Sequence, residues 1–180
     1  MTTPRVGLVG LGYWGPNLAR NFDELGALVT LCDLDPELRE RFGARYPNVA
    51  MVADYADLLA DPGIDAVVVA TPVPTHYALA KQALEAGKHV FVEKPPAMRG
   101  AEMDELVELA ANADRVLMPG HLLLYHPGVL KLKELIDSGE LGEIFCIYGN
   151  RQNLGVIRKD ENALWSLGVH DLSVILHLLD

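Results

Sequence analysis

The chain has 180 residues, half of them apolar and 22% charged, and carries a formal net charge of -10. That is enough apolar material for one buried core, or for one domain and part of another. The acidic balance, with no basic cluster, argues against nucleic acid or an anionic membrane surface as partner.

In chain order, residues 6–9 read as a short buried strand and 14–25 as a helix. The apolar start is broken by Gly7, Gly10, Gly12 and Gly15, so it fails as a signal peptide. No apolar run approaches the roughly 18 residues that span a bilayer. Residues 27–32 form the second strand. They are followed by a helix over 36–45, opened by Asp35 as N-cap and Pro36 in its first turn. A weak strand near Met51 leads to a short helix at 55–60. Residues 66–70 are almost pure valine, as a central parallel strand requires. A helix over 75–86 stops at Gly87, and 89–92, 101–113 and 116–118 continue as strand, helix and strand. Alternation of this kind predicts an α/β fold with a doubly wound parallel sheet. Residues 127–138 (helix), 142–151 (a long strand) and 165–179 (an apolar helix) break the alternation. They read as the beginning of an α+β domain. The expected division is 1–120 and 121–180. Cys32 and Cys146 stand far apart, which suits neither a metal site nor a redox pair and favours a cytoplasmic setting.

Gly10, Gly12 and Gly15 form G-x-G-x-x-G between the first strand and helix, with Tyr13 and Trp14 between the last two glycines. Gly10 permits a tight turn, Gly12 lets backbone approach a pyrophosphate, and Gly15 lets the helix pack closely on the strand. The helix N-terminus adds amide groups and a positive dipole end. Asp33 ends the second strand 18 residues after Gly15, near the spacing of about 20 at which a carboxylate meets the adenosine ribose. Asp33 alternatively caps the turn before Pro36, a task Asp35 already fills. No basic residue follows Asp33 before Arg39, and a carboxylate repels a 2′-phosphate, so NAD is preferred over NADP in this Rossmann-type unit.

Further motifs resemble the glucose–fructose oxidoreductase / inositol 2-dehydrogenase (Gfo/Idh/MocA) family. Ala70-Thr71-Pro72 with Thr75-His76 follows the fourth strand, where the family sets a loop against the nicotinamide. Glu93-Lys94-Pro95 matches its E-K-P motif, and Gly120-His121 its entry into a second domain. The segments G-H-L-L-L-Y-H-P at 120–127, R-Q-N-L-G at 151–155 and E-N-A-L-W-S-L-G-V-H-D at 161–171 resemble the subgroup of UDP-N-acetylglucosaminuronate 3-dehydrogenases.

The resemblance implies hydride transfer from a sugar or sugar-nucleotide hydroxyl carbon to NAD. It implies cofactor contacts from Thr71, Pro72, His76, Glu93 and Lys94. It places Lys94 and His170 at the catalytic positions and leaves open which is the base. Without the family, Lys94 reads as a solvated lysine before a proline, and His170 equally well as a buried histidine bonded to a carbonyl. Ser166, His170, Ser173 and His177 recur at i, i+4, i+7 and i+11 on one face of the last helix. The family's acid four residues before the histidine is here Ser166, with Asp171 a possible substitute. Substrate contacts are expected from His121, Arg151, Asn153, Arg158 and Asp171. An arginine fork suits a carboxylate or a diphosphate, although isolated loop arginines are more often solvated. No metal is expected.

The alternative is a chain that binds NAD(H) without turnover. The last helix ends at Leu178-Leu179-Asp180 without a glycine cap, which predicts an incomplete second domain, poor catalysis and self-association. The complete protein is expected to form a homo-oligomer and to act on a small molecule.

Overall fold

The computed structural model describes residues 3–152 and 162–180. The chain divides into two compact units, Met1–Pro119 and Gly120–Asp180.

In the first unit, strands β1 (Val6–Val9), β2 (Leu28–Cys32), β3 (Ala50–Val52), β4 (Ala66–Val69), β5 (His89–Val92) and β6 (Leu117–Pro119) alternate with helices. These are α1 (Gly15–Glu24), α2 (Pro36–Arg45), α3 (Tyr55–Ala60), α4 (His76–Glu85) and α5 (Gly100–Ala113). The strands form one sheet in the order β3-β2-β1-β4-β5-β6, and every pairing is parallel. The order reverses between β1 and β4, which opens a crevice at the carboxyl ends of the strands.

Side-chain alternation along the strands builds two cores. Val67, Val69, Val90 and Val92 point to one face, where they meet Leu58, Ala80, Ala83, Leu84 and Leu106. Leu8 and Val68 point to the other, against Leu11, Ala19, Phe42 and Tyr46. Covering on both faces explains why β4 is uninterrupted valine.

Local chemistry sets the helix starts. Asp35 accepts from the amides of Glu37 and Leu38, and Asp54 accepts from that of Ala56. Each satisfies an amide with no partner inside its helix.

Register aligns the functional edge. Val9 lies opposite Cys32 and Val69, and Val69 opposite Val92. The next residue along each of these strands is Gly10, Asp33, Ala70 and Glu93. Amide bonds to neighbouring strands continue through them: Gly10 N to Cys32 O, Ala70 N to Val9 O and Glu93 N to Val69 O, each 2.9 Å.

The second unit holds a 3₁₀ turn (Leu122–Tyr125), α6 (Pro127–Asp137), a π turn (Leu164–Gly168) and α7 (Val169–Leu179). Two expectations are corrected here. Residues 142–151 are not a strand. An apolar run becomes a strand only with a ladder to complete its backbone bonds, and no described residue supplies one. Phe145 and Tyr148 are each 87% exposed. The last helix also does not start as a regular one. Its opening turn is π-helical, with Asn162 Oδ1 accepting from the amides of Leu164 and Trp165. Ser166 lies inside that wider turn, so its four-residue alignment with His170 is lost, while His170, Ser173 and His177 keep theirs along α7. No helix among the described residues is long and apolar enough to cross a membrane.

Candidate functional site

The glycine loop is shaped by close approach of backbone. Gly10 has φ +97°, and a Cβ there would lie 2.7 Å from the backbone of Ala70 and Thr71. A Cβ on Gly15 would lie 1.9 Å from Gly10 O, whereas one on Gly12 would meet nothing within 4 Å. Two glycines thus bind the loop to its own sheet, and the third faces open space that a ligand can fill. The start of α1 differs from the expectation. Pro16 has no N–H, and the amides of Asn17 and Leu18 turn back to Trp14 O. What this end offers a phosphate is the loop before the helix and the helix dipole.

Asp33 organises this loop. Oδ2 accepts from Leu11 N at 2.7 Å and Oδ1 from Asp35 N at 2.9 Å. It therefore shapes both the glycine loop and the turn into α2. Each carboxylate oxygen retains a second lone pair for a ribose hydroxyl. The sequence reading missed Arg39, whose Nη1 donates to Asp33 O at 2.7 Å and Leu34 O at 2.8 Å. A guanidinium does reach this end of the crevice, because one turn of α2 carries residue 39 back over residue 33.

At the β4 and β5 ends, Thr71 Oγ1 and Thr75 Oγ1 are 2.7 Å apart, and Thr75 Oγ1 donates to Pro72 O. Thr71 is half-buried and Pro72 exposed. His76 is corrected. It is 1% exposed, with Nδ1 2.8 Å from Pro95 O and Nε2 2.7 Å from Thr71 O, so both nitrogens are engaged by backbone and neither serves a cofactor. Glu93 is buried, with the Trp14 side chain near its carboxyl group. Burial pushes its carboxyl above the usual range, while the Lys94 amide, the Lys94 charge and Trp14 act in the opposite direction. The Trp14–Glu93 contact joins the glycine loop to the end of β5. Lys94 is half-buried, its bond to Pro95 is cis, and Tyr13 is 84% exposed.

In the second unit, His121 is half-buried, and its Nδ1 has no hydrogen-bond partner among the described residues. Burial holds its imidazole below the ordinary range. His170 lies in the first turn of α7. Arg151 grips Asp171, with Nε 3.0 Å from both carboxylate oxygens and Nη2 2.9 Å from Oδ1. The contact pairs two residues expected on the substrate side across 20 positions of sequence. Asn153 and Arg158 lie outside the described residues. Among the described residues no group of three His, Cys, Asp or Glu side chains is placed to hold a metal ion.

Residues 4–121 match the family described as "Oxidoreductase family, NAD-binding Rossmann fold" (Gfo/Idh/MocA). Inositol 2-dehydrogenase 1 of Saccharopolyspora erythraea is 34% identical over 98% of this chain and 55% of its own length. The structure of an NAD-binding protein from Listeria innocua is 27% identical, with a TM-score of 0.84 over 99% of this chain and 56% of that one. GenD2 from gentamicin A biosynthesis, solved in complex with NAD, shares the fold at 24% identity and a TM-score of 0.85, over 99% of this chain and 54% of that one. The chain thus spans about half the length of the relatives it matches. The fingerprint glycines, Asp33 and the E-K-P turn share one edge of a six-stranded parallel sheet, and the family match covers all of them: the chain belongs to the Gfo/Idh/MocA oxidoreductase family and carries its NAD-binding Rossmann domain.

Proposed function

We propose that this chain is the cofactor-binding part of an NAD-dependent dehydrogenase that oxidises a hydroxyl-bearing carbon of a polyol or sugar. The observation that carries this is the single edge on which Gly10, Asp33, Ala70 and Glu93 end four adjacent strands. A dinucleotide laid across that edge has pyrophosphate on the glycine loop and adenosine toward β2. Its nicotinamide then extends toward β4 and β5, which supports contacts from Thr71, Pro72, Glu93 and Lys94.

Bound NAD supplies the hydride acceptor. Lys94, at the carboxyl end of β5, holds the substrate hydroxyl and stabilises the negative charge that develops on its oxygen. His170 is the partner in proton transfer, an imidazole being suited to base work near neutral pH. His121 is assigned to the substrate side. The narrower reading, a nucleotide-linked sugar, rests on the motifs around residues 120–127, 151–155 and 161–171. Turnover across a panel of inositols, uronates and sugar nucleotides separates these substrates. The assignment includes a small-molecule substrate, a cytoplasmic setting and a homo-oligomeric whole protein.

The cofactor reading is tested by titrating the chain with NADH and NADPH. NADH is expected to bind more tightly, and Asp33→Ala to weaken it by about 1–3 kcal/mol through loss of charged ribose hydrogen bonds. Equal affinity for the two cofactors would remove Asp33 as the discriminating residue.

A further inference from the structure

His76 opens α4 beneath the cofactor edge, and its two ring contacts reach different loops. Nε2 meets Thr71 O in the loop after β4, and Nδ1 meets Pro95 O in the turn after β5. These loops flank the position assigned above to nicotinamide. A neutral imidazole donates from one ring nitrogen and places the other against the second loop, so one rigid ring spans both. The ring is 1% exposed, so water does not compete for either contact.

We propose that His76 is a positioning residue which, held through both ring nitrogens, fixes the spacing between the Thr71 loop and the Lys94-Pro95 turn. It thereby shapes the nicotinamide half of the cofactor site. The adenosine half does not depend on it. There Asp33 ties Leu11 to the turn into α2, and Arg39 holds the carbonyls of Asp33 and Leu34. The inference rests on the cofactor reading given under Proposed function.

Two ligands separate the halves: NADH, and ADP-ribose, which keeps the adenosine and pyrophosphate but lacks nicotinamide. His76→Ala is expected to weaken NADH by about tenfold, the scale of a lost hydrogen bond. It should leave ADP-ribose within about twofold of wild type. An equal loss for both ligands would mean a general structural role, and no loss for either would mean no role; both overturn the proposal. His76→Gln, which keeps an amide donor and much of the volume, is expected to recover part of the NADH affinity. If the alanine variant does not fold, the glutamine variant carries the test, with a loss confined to NADH expected and an equal loss for both ligands overturning the proposal. Failure of wild type to bind either ligand would instead defeat the cofactor reading, and the His76 proposal with it.

Discussion

Gly15→Ala is expected to abolish NADH binding and to lower stability by about 3 kcal/mol or more, at the upper end of the range for overpacking. The added methyl carbon would lie 1.9 Å from Gly10 O and 2.9 Å from Gly10 C. Both are backbone atoms, so no side chain can swing away. Relief requires α1 to lift from β1, which carries the buried Ala19 away from the core and opens the loop that Leu11 and Asp33 hold closed. Gly12→Ala is the matched control. Its methyl group meets nothing within 4 Å, so the fold should remain, and any affinity lost reflects occupation of the ligand's space. Thermal unfolding and NADH titration of the two variants read the difference. Wild-type stability and affinity in Gly15→Ala would show that the helix is not seated as described.

Lys94→Ala and His170→Ala should each reduce kcat by about 10²–10⁴-fold, the usual contribution of a general acid or base, with NADH affinity nearly unchanged in His170→Ala. Lys94 ends a parallel strand at the crevice where ligands of such sheets bind, and His170 belongs to α7. The measurement is steady-state turnover with a substrate that supports it. The pH–rate profiles of the two variants then identify the base, since the variant lacking it loses the acidic limb. Near-normal kcat in either variant would remove that residue from the chemistry.

The elements whose ends depend on local chemistry were legible in the sequence. Pro36–Arg45 and Tyr55–Ala60 begin where Asp35 and Asp54 cap them, and Gly10, Gly12 and Gly15 carry their geometry in their spacing. What depends on distant partners was not legible. The run at 142–151 has the composition of a strand, but composition does not provide a neighbouring strand. The pairing of Arg151 with Asp171, 20 residues away, is one such contact. His76, close in sequence to Thr71 and Pro72, suggested a cofactor contact. The start of α4 instead turns its ring into the core, a fact about packing that a motif does not contain. The Trp14–Glu93 link joins residues 79 apart in sequence, and only the sheet brings them together.

That last contact gives the protein an optical property. Trp14 sits between the glycine loop and the end of β5, 38% exposed, with its side chain on the Glu93 carboxylate. The chain's other tryptophan, Trp165, belongs to the Gly120–Asp180 unit. Reduced nicotinamide absorbs where indole emits, so an indole beside the cofactor acts as an energy donor to it. Exciting the tryptophans in the presence of NADH should quench their emission and produce light from the nicotinamide, without any added dye. Trp14→Phe should reduce this transferred emission. If the signal survives loss of Trp14 unchanged, the nicotinamide does not lie beside the Trp14–Glu93 contact.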